Sequence, residues 1–192
     1  MSHRLIALLT VLTAVLLASL AGVGHTQVHE GVTAIVHVTA DAVHLLAAGA
    51  WLGGLLPPGM VVVSSRAKQL SNDDAVLVLS RFSGMAYLAV AALVASGLIN
   101  GWFLVGSLSA LIGTTYGELL LLKLGLFGLM LCLAASNRFW LVPALAKAAT
   151  ISQSDLALAR LRRNILAEQI LGVLVVGIVS LLGTLSPVIQ AS

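Results

Sequence analysis

The sequence predicts an all-α integral membrane protein, a bundle of four to five transmembrane helices. Three observations carry that prediction. Of the 192 residues, 59% are hydrophobic and only 9% are charged, whereas a soluble globular domain carries about 25% charged residues. Five apolar stretches have, or nearly have, the length of about 20 residues that a spanning helix needs. The basic residues cluster in short segments between those stretches, as in the loops of a membrane protein. That clustering also argues against nucleic acid as the partner of the net charge of +3. Cys132 is the single cysteine, so neither an intrachain disulfide nor a CxxC metal site is available.

The stretches run in order along the chain. Leu5 to Ala21 is short for a span. It reads either as the apolar core of a signal peptide, with Ser19-Leu20-Ala21 as a small-residue cleavage site, or as a first transmembrane helix. With the outer loop it makes an N-terminal segment, 1–32, ahead of a four-helix membrane domain, 33–192. The second stretch runs from about Thr33 to Met60, and Pro57-Pro58 should end or kink it. The third covers about Gly84 to Val105, the fourth Glu118 to Ser136, and the fifth about Ile165 to Leu185 before Pro187. Ser152-Gln153-Ser154-Asp155 reads as a capping box opening a helix that runs into the fifth.

Arg4, Arg66, Lys68, Arg81, Arg138, Lys147, Arg160, Arg162 and Arg163 all fall on one side of this arrangement. The positive-inside rule makes that side cytoplasmic, which puts a retained N-terminus inside and the C-terminus in the periplasm. Lys123 is the basic residue that lies within a span.

Ionisable groups in hydrocarbon are costly and default to a functional reading. His37, Asp41 and His44 on the second span recur at i, i+4 and i+7, so they share one helix face, with Ala48 and Trp51 continuing the stripe. The rise from His37 to His44 is about 10 Å, too long for both imidazoles to chelate one ion readily. They fit two stations along a path, or two half-sites completed from other helices, with Asp41 able to orient either ring. The alternative is structural, with His and Asp bridging helices by hydrogen bonds.

Lys123, Met130 and Asn137 share one face of the fourth span, and Met85, Ser96 and Asn100 a broader face of the third. The Met85 and Met130 thioethers are soft ligands suited to Cu(I), and equally ordinary core fillers. Glu118 and Lys123 lie near the outer end of the fourth span, where Lys123 can reach Asp41 across the bundle or extend towards the interface. Cys132 is expected as a small buried hydrophobe. His25 and His29 are i, i+4 in the outer connection. Gly53-Gly54, Gly97, Gly101 and the Ser180–Thr184 pair read as close-packing positions. No nucleophile–base pair, phosphate-binding glycine loop or HExxH is present, so no enzymatic activity is read.

Four strings then carry a resemblance: HVTADAVHLLAAGAWLGGL, RFSGMA, TTYGELLLLKLGLFGLMLCLAASNR and LRRNILAEQILG, in that order and spacing. Over about residues 33 to 187 the chain resembles the membrane domain of the copper resistance protein D family. By position, the family's H-x6-W-x-G-G segment falls on His44, Trp51, Gly53 and Gly54, and its basic fourth-span residue on Lys123. The resemblance implies copper homeostasis at the bacterial inner membrane, with copper as the ligand and a periplasmic CopC-like protein as a partner. Copper would enter at His37, pass Asp41 and His44, and meet Met85 or Met130 deeper in. Two other readings stand beside it. One is a b-type haem electron carrier, disfavoured because the intramembrane histidines all lie on one helix. The other is a non-catalytic subunit of a homo-oligomer or larger membrane complex.

Overall fold

In a computed structural model, which describes residues 3–21, 31–66, 71–105 and 107–185, the chain is all helix. The elements are α1 (His3–Leu20), α2 (Gly31–Gly54), α3 (Leu56–Arg66), α4 (Asn72–Val105), α5 (Leu108–Gly113), α6 (Thr115–Ser136), a π-helical turn (Asn137–Leu141), α7 (Val142–Ala146) and α8 (Ile151–Leu182). Among the described residues, five stretches are long and apolar enough to cross a membrane: His3–Leu20, Gly31–Val62, Asn72–Val105, Thr115–Ala146 and Ile151–Leu182. Leu88, Leu98 and Val173 are among the large apolar side chains left exposed on the outside of the bundle, which is the surface a hydrocarbon solvent requires.

Hydroxyl caps start the helices. Ser71 accepts from the Asp74 N–H ahead of α4, Thr114 from the Gly117 N–H ahead of α6, and Thr150 from the Gln153 N–H ahead of α8. Each satisfies an N–H that has no partner within its helix. At α8 the Gln153 side chain answers by accepting from the Ala149 N–H. The cap therefore sits two residues before the Ser152 that sequence suggests. The helix it opens does run unbroken into the fifth span.

α4 also begins a full three turns before Gly84, with Asp73 and Asp74 in its first turn facing the positive end of the helix dipole. α2 ends at Gly54, and Pro57 and Pro58 occupy the first turn of α3, where a missing N–H costs nothing. Pro143 acts differently. Inside a continuous helix its ring would clash with the Phe139 carbonyl. The chain widens there into the π turn, with the Val142 N–H donating to the Asn137 carbonyl.

α2 packs along α4 and α6 along α8, with α1 against α2. Three apolar layers fill the bundle. Leu79, Leu145, Leu161 and Ile165 form one at the basic end. Trp51, Ala89, Leu93 and Met130 form the middle. Val105, Tyr116, Ile178 and Leu182 form the opposite end. Small residues allow the close approaches. A Cβ on Gly172 would lie 2.5 Å from Leu52 Cδ2, and one on Gly54 would lie 2.6 Å from Met85 Cε. Gly53 and Gly101 face open space, and the Ser180 and Thr184 hydroxyls bond to carbonyls of their own turn. Cys132 is exposed on the outside of the bundle rather than buried.

Candidate functional site

The ionisable stripe of α2 turns into the bundle and meets α4 turn by turn. His37 is 2% exposed and stacks on Phe103, with ring centroids 4.8 Å apart and planes at 26°. One turn on, Asp41 Oδ1 accepts from Asn100 Nδ2 at 3.2 Å. One further turn on, His44 Nδ1 lies 3.0 Å from Ser96 Oγ. The antiparallel crossing of two helices thus places each polar residue of α2 opposite a chosen partner. His44 also needs room, and Gly97 supplies it, since a Cβ there would stand 3.4 Å from His44 Cε1.

The hydrogen bonds set the tautomer of His44. The Ser96 hydroxyl spends its only proton on the Ala92 carbonyl at 2.5 Å. Towards the imidazole it can only accept, so Nδ1 carries the hydrogen and Nε2 keeps its lone pair. A hydrogen-bonded Nδ1–H with a basic Nε2 is the arrangement found in metal-ligating histidines.

Asp41 is the electrostatic centre of this seam. Besides Asn100, it interacts with the Lys123 ammonium and the Tyr116 hydroxyl, both from α6. Lys123 also acts on His44. Asn100 Oδ1 is buried without a donor. A carboxylate, an imidazole lone pair and an unanswered amide oxygen therefore share one intramembrane seam, an environment suited to a positively charged guest. Among the described residues no three His, Cys, Asp or Glu converge into a closed metal cage.

The remaining residues named from sequence lie elsewhere. Met130 is 2% exposed within the middle apolar layer beside Trp51. Met85 is exposed and its methyl covers Gly54, more than two helical turns below His44. Glu118 is exposed in the first turn of α6. His25 and His29 lie outside the described residues.

A second polar cluster, between α6 and α8, escaped the sequence reading. Asn164 Nδ2 donates to Asn137 Oδ1 at 3.0 Å, and Asn137 Nδ2 donates to Glu168 Oε1 at 2.7 Å. Glu168 is 1% exposed. It borders a cavity of about 210 Å³ near the basic end, together with Trp51, Phe82, Tyr87, Asn137 and Arg138. The signal was available. Asn164 and Glu168 are i, i+4 at the start of an apolar run, the same spacing that exposed Asp41.

Similarity to known proteins takes in both clusters in the longer relatives, but in the family model it leaves out α2. The family model for copper resistance protein D matches residues 76–182, from the start of α4 to the end of α8. The chain belongs to the copper resistance protein D family. Within and around that family, it is 38% identical over 186 residues to copper resistance protein D of Pseudomonas syringae pv. tomato, covering 96% of this chain and 60% of that protein. It is 39% identical over 181 residues to the inner membrane protein YebZ of Escherichia coli (strain K12), covering 94% of this chain and 59% of YebZ. It is also 38% identical over 120 residues to the copper transport protein CutJ of Bacillus subtilis (strain 168), covering 62% of this chain and 22% of CutJ. The chain therefore spans about 60% of the length of the first two of these relatives. No solved structure matches.

Proposed function

We propose that this member of the copper resistance protein D family handles copper in the bacterial inner membrane, receiving the ion at His37 and passing it along Asp41 and His44. Copper is the cargo rather than a resident cofactor. The observation that carries the reading is the seam itself: ionisable side chains of α2 turned inward on α4, with Nε2 of His44 and Oδ1 of Asn100 left as acceptors. The names of two relatives, which refer to copper resistance and copper transport, supply the metal.

An open string of acceptors suits conduction better than storage. A conducting site must bind well enough to be entered and weakly enough to be left. Lys123 serves this end, because its positive charge beside Asp41 limits how tightly a second cation is held. Met85 and Met130, which pack away from the seam, act as fillers in this scheme. The basic end is cytoplasmic by the positive-inside rule. His37 then faces the periplasmic half, where a CopC-like protein would deliver the ion.

The test is His44→Ala. It should abolish copper-dependent growth and accumulation phenotypes while the protein is still inserted. Unchanged copper handling would sink the proposal. Metal analysis and a visible spectrum of detergent-purified protein separate copper from haem, since only haem gives a Soret band.

A further inference from the structure

The buried carboxyl of Glu168 is not needed to hold α6 against α8. Its visible structural task is to accept one hydrogen bond from Asn137, and a glutamine oxygen would do that without the cost of placing an ionisable group in a buried site. The chain nevertheless keeps an acid there, 1% exposed. The polar network is directional: Asn164 donates to Asn137 and Asn137 donates to Glu168. Both oxygens of a carboxylate accept, so this one bond leaves acceptor capacity on the group. The π turn that begins at Asn137 is a device often found at functional sites.

The wall of the cavity next to Glu168 is mostly apolar, with polar groups at Trp51, Ser83, Tyr87, Asn137, Arg138 and Glu168. At about 210 Å³ the cavity has room for several waters, each of which takes about 30 Å³ of liquid volume. Trp51 borders it, is 2% exposed, and has an indole N–H without an acceptor. The Ser83 hydroxyl donates to the Leu79 carbonyl and keeps lone pairs to accept with. The ionisable groups on the cavity wall besides Glu168 are Tyr87 from α4 and Arg138 from the π turn, while α2 contributes Trp51 and α3 contributes Pro58. Asp41 and Lys123 belong to the other seam and do not line it.

We propose that this cavity takes up water beside its polar groups and that Glu168 is its proton-exchanging group. Its carboxylate takes a proton from hydronium in the cavity to give a carboxylic acid and water, and returns it by the reverse step. This inference is independent of the copper reading and holds for the protein without metal.

Two measurements on the full chain in liposomes test it. Dicyclohexylcarbodiimide reacts with carboxylic acids in their protonated form. In wild-type protein it should modify Glu168, located by mass spectrometry, with the yield falling as pH rises. Absence of the label at Glu168, or a yield independent of pH, overturns the proposal. Infrared pH-difference spectra should also show a carboxylic-acid carbonyl band that shifts in D2O, disappears in Glu168→Gln and persists in Asp41→Asn. Glu168→Gln keeps the acceptor for Asn137, so folding is preserved. A band that fails to shift in D2O means that water does not reach the group, and likewise overturns the proposal. Because neither measurement uses copper, its failure leaves the His44 result standing.

Discussion

The two polar clusters of this bundle solve the same problem in different ways. The seam between α2 and α4 gathers His37, Asp41 and His44 on one helix and lets the partner helix answer them one turn at a time. The cluster between α6 and α8 gathers Asn137, Asn164 and Glu168 from two helices into one directional network. The first leaves acceptors open along a line. The second satisfies its amides and keeps one acid beside a cavity. The middle apolar layer of Trp51, Ala89, Leu93 and Met130 lies between them. An open line suits a moving cation, and a closed network around one acid suits a proton. A packed apolar layer holds the two apart.

The largest expected effect breaks that separation. Trp51→Ala removes a side chain that is 2% exposed and meets Phe127 edge to face at 5.4 Å. It should cost about 3–5 kcal/mol, read as a lowered unfolding midpoint in detergent. A loss under about 1 kcal/mol would mean that the layer is not a packed partition. Asn137→Ala should follow at about 1–3 kcal/mol, because it strips the partner from both Glu168 and Asn164. If the α2–α4 seam binds copper as proposed, its affinity should be unchanged, as isothermal titration would check. Asn100→Ala should cost less, about 0.5–1.5 kcal/mol, since its one bond to Asp41 is long and Asp41 is only half-buried. Here copper affinity should fall. If the clusters are independent, the Asn100→Ala, Asn137→Ala double variant should be additive within about 0.3–0.5 kcal/mol. A larger coupling would join the two sites into one. The smallest effect belongs to Cys132→Ala on the lipid-facing surface, expected within about 0.5 kcal/mol.

These differences also explain what sequence reading found and what it overlooked. His37, Asp41 and His44 stand out because a helix repeats every 3.6 residues and all three ionisable side chains lie on one face of that repeat. Asn137 and Glu168 are 31 positions apart and share no periodicity. Only the pairing of α6 with α8 brings them together. Prolines illustrate the same limit. Pro57 and Pro58 end α2 where expected, but the effect of Pro143 depends on the helix being continued by its neighbours, and it appears as a widened turn. The longer α4 and the earlier cap at Thr150 come from polar residues that hydropathy leaves out of a span. The exposed Cys132 comes from the rotation of α6 in the bundle, which periodicity does not set.

Sequence by itself determined that the chain lives in a membrane, that it has four to five long apolar helices, and which face of α2 carries its ionisable residues. Those properties follow from transfer free energy and helical pitch, both of which are local. Tertiary structure alone decided which partner answers each charge, which nitrogen of His44 is left bare, and that Glu168 borders a cavity. Those depend on how helices distant in the chain cross and rotate against one another, and that is settled by side-chain packing across the whole bundle.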